Sequence, residues 1–191
     1  MSRRPLVLAS QSPRRVELLH AAGYDFEVLP VEVTEAHDEN LSPQALTTAN
    51  ATLKAKAGSI LRPGAVVIGA DTLVYLDDLP LGKPKDMEEA KSMLRRLSGR
   101  AHHVCTGVSL ASEGGMRVHE FAVISHVVFK TLTEADIEAY YTRVNPLDKA
   151  GAYAIQEHGE QIIERTDGSW SNIMGLPMER LTDELETVLA G

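Results

Sequence analysis

One cysteine, Cys105, is all the thiol chemistry this chain of 191 residues contains, so no internal disulfide can form, which fits a reducing compartment. Its setting, Val104 to Val108, is strand-like and predicts a buried structural thiol. No apolar run approaches the roughly 20 residues needed to span a bilayer. Leu6-Val7-Leu8-Ala9, after Arg3 and Arg4, is too short for the core of a signal peptide. A cytoplasmic protein without membrane attachment is therefore expected. Basic charge is also in deficit: the formal net charge is -8, against the basic face of a nucleic-acid binder. An anionic small substrate stays allowed, but needs a local basic cluster, a metal ion, or both. There is no G-x-G-x-x-G after the first apolar run, no Walker A motif and no Gly-x-Ser-x-Gly elbow. The histidines do not pair with cysteine at zinc spacing. Repeats and low-complexity tracts are absent too. The length suits one sizeable core, or two lobes sharing a sheet, and one domain over residues 1–191 is expected.

What is present alternates. Leu6–Ala9 reads as a buried strand, followed by a helix with Ser12 as N-cap and Pro13 at its first position, stopped by Gly23. Phe26–Val31 reads as a strand, then an acidic loop from Thr34 to Asn40. Pro43–Ala57 is predicted helical, with Ser42 as its cap. Ala65–Tyr75 is apolar and β-branched, a central strand with a predicted break at Gly69-Ala70-Asp71-Thr72. Asp86 opens a helix whose stripe is Met87, Ala90, Leu94 and Leu97, with Met93 on a neighbouring face. His102–Ala111 and Met116–Leu132 form a hairpin about Gly114-Gly115. Thr133 caps the helix Glu134–Thr142. Pro146–Gln156 reads as turn then strand, Gly159–Arg165 as a strand, and Pro177 starts a last helix. Alternation with an intruding hairpin predicts an α/β fold with a mixed sheet.

Two places look like chemistry. Arg14 and Arg15 occupy the first turn of a helix, where the macrodipole disfavours cations. An anion bound by the free N–H groups and the guanidinium forks would reconcile them, with Ser10 and Ser12 as further donors. An exposed first turn is the plainer reading, and spacing alone leaves both open. Asp71 interrupts an apolar strand, and a buried carboxylate must be paired, metal-bound or shifted in pKa. Its plainer reading is a cap at a strand end. Lys54 and Lys83, the latter in Leu81-Gly82-Lys83-Pro84, are weak candidates alone.

Seven short segments occur in one order: Ala9-Ser10-Gln11-Ser12-Pro13-Arg14-Arg15, Gly69-Ala70-Asp71-Thr72, Gly82-Lys83-Pro84, Leu97-Ser98-Gly99-Arg100, His103-Val104-Cys105-Thr106-Gly107-Val108, Asp148 to Tyr153 with Gln156, and Gly175-Leu176-Pro177. In this the chain resembles the Maf family of house-cleaning nucleoside triphosphate pyrophosphatases, also described as septum-formation inhibitors. The resemblance implies a Maf/ITPase-like α/β fold, a curved mixed β-sheet with flanking helices and two lobes around a cleft. It implies cleavage between the α and β phosphates with a divalent metal, Mg²⁺ or Mn²⁺. Asp71 matches the proton acceptor, and Ser10, Arg14, Arg15, Lys54 and Lys83 match positions near the phosphates. Glu35, with Asp71, matches the metal carboxylates. Arg14, Thr72 and Gln156 resemble the subclass acting on dTTP and UTP; the 7-methyl-GTP subclass carries a carboxylate in place of Gln156. A carboxamide both donates and accepts, as the O4 and N3–H of a pyrimidine require. Ala154, Glu157-His158 and Trp170-Ser171 depart from the family's commoner residues. Family members are often homodimers. The competing class is a nucleotide-binding regulator of septum formation without turnover.

Overall fold

The structure is a computed structural model that describes residues 4–38, 40–77 and 79–190. The strands are β1 (Leu6–Leu8), β2 (Glu27–Val28), β3 (Val66–Leu76), β4 (Leu79–Leu81), β5 (Ala101–Ser112), β6 (Arg117–Phe129) and β7 (Ile163–Asp167). The helices are α1 (Pro13–Ala21), α2 (Pro43–Leu61), α3 (Met87–Leu97), α4 (Glu134–Tyr141), α5 (Trp170–Met174) and α6 (Met178–Ala190). Four starts follow from capping: the Ser42, Asp86, Thr133 and Ser169 side chains accept from the N–H groups of Ala45, Glu89, Asp136 and Asn172. Among the described residues, no helix is long and apolar enough to cross a membrane.

The seven strands form one mixed sheet in the order β2-β1-β3-β5-β6-β7. β1 runs parallel to β2 and β3, and the other pairs are antiparallel. β3 is the pivot. One edge pairs with β5 from Val67 to Tyr75. The other pairs with β1 at Val66–Ile68 and with β4 at Val74–Leu76. The sheet therefore forks along that edge, and Gly69–Leu73 lie in the gap. Two cores separate at the same level. Leu6, Leu8, Ile68, Val108 and Leu110 pack with Leu19 of α1 and with Leu181 and Leu185 of α6. Val74, Val104, Val127 and Phe129 pack with Leu94 and Leu97 of α3 and with Ile137 and Tyr140 of α4. Each buried leucine contributes about 1.5–3 kcal/mol. These two lobes share β3, β5 and β6.

The structure corrects several expectations. β3 runs unbroken through Gly69-Ala70-Asp71-Thr72. Gly69 does not interrupt it; it makes room for a helix, as described below. Met87 is exposed in the first turn of α3, and Met93 is the buried one, packed with Ala90 and Ala152. Pro146–Gln156 contains no strand. Gly151 and Ala152 both take positive φ, and the segment bends so that the Gly151 N–H donates to Gly82 O. β2 pairs over only two residues, and α5 was not foreseen. Cys105 is buried, as expected.

His102 is buried between Phe129 and Tyr153, with Nε2 2.8 Å from the Tyr153 hydroxyl. Burial pushes its pKa down to about 3. The imidazole is therefore neutral when folded and titrates normally when unfolded. Its contribution is complete above about pH 6.5 and is lost progressively as the pH falls from there toward 3. At pH 5 the loss is about 2 kcal/mol. His102→Gln is expected to weaken the pH dependence of stability between pH 7 and 5 by that amount, as read by urea unfolding at both values.

Candidate active site

The site begins with two glycines. A Cβ on Gly69 would lie 2.2 Å from the Ala51 carbonyl oxygen, and one on Gly107 would lie 2.3 Å from the Thr47 carbonyl carbon. Helix α2 thus rests its backbone directly on the sheet, through a buried face that includes Thr47, Ala51, Ala55 and Gly58. Asp71 points to the same face as Gly69, two residues on, and stands opposite Gly107 in the β3–β5 register. Asn50 and Lys54, one turn apart on α2, are thereby brought onto its carboxylate. Lys54 Nζ donates to Asp71 Oδ1 at 2.9 Å, and Asn50 Nδ2 donates to Oδ2 at 3.2 Å. Lys54 Nζ also meets Glu35 Oε1 at 2.7 Å. Asp71 is only 7% exposed, so this pairing offsets its desolvation.

The opposite face of β3 carries Arg15. Its Nη1 donates to Ser10 Oγ at 3.1 Å and to Ala70 O at 2.9 Å. Its Nη2 donates to Thr72 Oγ1 at 3.0 Å, and its Nε to Gly175 O at 2.8 Å. Four of its five N–H groups are thus spent on the protein. Burial pushes this guanidinium below its ordinary pKa, and the charge of Asp71 opposes the shift. Arg15 acts as a latch joining α1, β3 and the turn after α5. Thr72 is occupied as well. Thr106 Oγ1 donates to Asn172 O, and the two threonine hydroxyls lie 3.0 Å apart. The Thr72 hydroxyl also reaches Gly175 O at 3.4 Å.

All of the expected residues line one cleft of about 910 Å³, at the fork: Ser10, Arg14, Arg15, Glu35, Lys54, Asp71, Thr72, Lys83 and Gln156. Ser12 holds the N-cap position of α1, but its side chain makes no capping bond, and no acid lies in the first turn. The first-turn N–H groups have no intrahelical acceptor. Ser10 Oγ accepts the Ser12 N–H at 3.2 Å. Arg14 reaches across the cleft to Asp148 at 3.4 Å, a long contact for a charged pair. Lys83 is exposed, with no ion-pair partner among the described residues. Gln156 Oε1 is buried and accepts no hydrogen bond among the described residues.

Two carboxylates, Glu35 and Asp71, converge on the single position now taken by the Lys54 ammonium. That pair fits a hard divalent cation, which takes oxygen ligands and commonly binds through one or two carboxylates plus substrate phosphates. Among the described residues, no group of three His, Cys, Asp or Glu side chains could hold a metal alone. Asn50 escaped sequence reasoning. Its one signal is a modest helix former standing in mid-helix.

A sequence profile described as Maf-like protein matches residues 5–188. The chain is 51% identical over 174 residues to a protein of Akkermansia muciniphila, covering 91% of each chain. It is 44% identical over 182 residues to one of Bacillus pumilus, 95% of each chain. It is 44% identical to one of Aliivibrio fischeri, over 93% of this chain and 94% of that one. All three relatives are named dTTP/UTP pyrophosphatase. A match along nearly the whole length, with the expected cleft residues gathered at one fork in the sheet, places this chain in the Maf family.

Proposed function

We propose that the chain hydrolyses dTTP and UTP to the nucleoside monophosphate and pyrophosphate. The observation that carries this reading is Asp71, held at both carboxylate oxygens and facing a cleft walled by Arg14, Lys54 and Lys83. The names of the relatives support the same substrates. Asp71 would orient a water for in-line attack on the α phosphorus and take its proton. The bond between the α phosphorus and the bridging oxygen breaks, and pyrophosphate leaves. Arg14, Lys83 and the first-turn N–H groups of α1 would bind the phosphates, because these donors are the least committed. Ser10 and Arg15 would hold that helix start in place. Glu35 and Asp71 would hold Mg²⁺ or Mn²⁺, which when bound supplies charge stabilisation at the phosphoryl oxygens.

Gln156 supports the pyrimidine preference. Its Oε1 is an acceptor without a partner, suited to the N3–H of uracil or thymine, and its amide can donate to O4. A panel of nucleotides, canonical and modified, assayed for pyrophosphate release with and without Mg²⁺ tests the whole reading. In kcat/KM, dTTP and UTP are expected to exceed 7-methyl-GTP by about tenfold or more. The reverse order would assign the 7-methyl-GTP subclass. No release from any nucleotide would leave a binding regulator.

A further inference from the structure

We propose that Asn50 is a positioning residue that fixes the acidic loop to the Asp71 carboxylate. The inference rests on the reading of Asp71 as the base. Asn50 is 2% exposed, and its whole amide is used. Oδ1 accepts the Ala36 N–H at 2.8 Å. Nδ2 donates to Ala36 O at 3.2 Å and to Asp71 Oδ2 at 3.2 Å. Only one orientation of the amide works. Turned over, its oxygen would face a carboxylate and its NH₂ would face an N–H. The orientation that binds Ala36 is therefore the one that presents a donor to Asp71.

This joins the acidic loop to α2 through its backbone, beside the Lys54–Glu35 ion pair that joins them through side chains. Residues 29–38 belong to no helix or strand, and Ala36 is the neighbour of Glu35. A closed ring results: Ala36 to Asn50, Asn50 to Asp71, Asp71 to Lys54, and Lys54 to Glu35. Lys54 supplies the charge in that ring. Asn50 supplies direction, because it fixes the second oxygen of Asp71 and the backbone beside Glu35 in one contact set. A base misplaced by about 1 Å can cost about a hundredfold in rate, so such a contact set bears on turnover more than on binding.

Two substitutions that keep the number of side-chain heavy atoms separate the parts. Asn50→Leu removes the whole amide. Asn50→Asp keeps an acceptor for the Ala36 N–H but sets a carboxylate against Asp71. Three readouts apply: amide hydrogen exchange at Ala36 without nucleotide, kcat and KM for dTTP, and the melting temperature. In Asn50→Leu, exchange at Ala36 is expected to speed by about tenfold or more, with kcat down by about tenfold or more and KM within about threefold of wild type. In Asn50→Asp, Ala36 should keep most of its protection while kcat still falls. If Asn50→Leu does not fold, Asn50→Ser, which admits a water in place of the amide, is judged by the same readouts. A folded variant lacking the amide with wild-type kcat overturns the proposal. So does a kcat loss with wild-type protection at Ala36, which would mean that the loop is held by something else. A wild-type protein without turnover would remove the reading of Asp71 as base, and unchanged exchange in Asn50→Leu would remove the tether.

Discussion

Asp71→Asn is expected to lower kcat by about three orders of magnitude while the protein stays folded, since a positioned general base contributes about 10²–10⁴. The substitution is nearly isosteric. It removes the charge and the basicity; the amide oxygen can still accept from Lys54, while the NH₂ then faces the Asn50 donor and that one hydrogen bond is lost. Lys54 keeps Glu35 as a counter-ion at 2.7 Å, so no uncompensated ammonium is left in the partly buried site. The melting temperature should therefore change by only a few degrees. Pyrophosphate release under single-turnover conditions, with saturating dTTP and Mg²⁺, isolates the chemical step. A variant that retained a tenth or more of wild-type kcat would exclude Asp71 as the base, and the role would have to pass to another group in the cleft.

Gly107→Ala tests the other half of the site, its seat. The added methyl would sit 2.3 Å from the Thr47 carbonyl carbon and 2.4 Å from the Thr48 nitrogen. Both are backbone atoms of α2, so no rotamer change relieves the clash. Gly107 has an ordinary backbone conformation, so alanine would on its own gain about 0.4–1 kcal/mol by restricting the unfolded chain. Overpacking against backbone costs about 3 kcal/mol here and outweighs that gain. A fall in Tm of about 5–10 °C is expected. Gly64→Ala is the contrast. Its Cβ would meet nothing within 4 Å, and its φ is not positive, so stability should hold or rise slightly. In any Gly107→Ala protein that folds, α2 must lift, and the Asn50 and Lys54 contacts to Asp71 lengthen with it. Turnover should then fall together with stability. An unchanged Tm would show that α2 does not bear on β5 at this point.

Local chemistry made much of this legible. Ser42, Asp86 and Thr133 announced helix starts because a cap is decided by residues three apart. The β5–β6 hairpin was readable from two β-rich runs about Gly114-Gly115. The members of the cleft were readable from ordered motifs, but their division of labour was not. Arg15 was marked by its place at a helix start, which says nothing of its anchors. Its four donors go to Ser10, Ala70, Thr72 and Gly175, partners up to 160 positions away. Gly69 looked like a break in a strand because glycine usually weakens one. What it provides is closeness to a helix from another part of the chain, which no window of neighbouring residues encodes. Met87 lies exposed although it falls on the stripe, because a helix stripe gives a direction but not the depth at which each turn is buried.

The fork in the sheet has a consequence for solubility. A strand edge with unpaired N–H and C=O groups is a template for adding a foreign strand, the usual start of aggregation. A cleft floored by such an edge should carry that hazard. Here the unpaired stretch of β3 is only Gly69–Leu73, closed at one end by β1 and at the other by β4. Within it, the Ala70 carbonyl is already taken by the Arg15 guanidinium and the Lys54 ammonium. An intruding segment would find a short opening between two fixed strands, with two cations standing in its path.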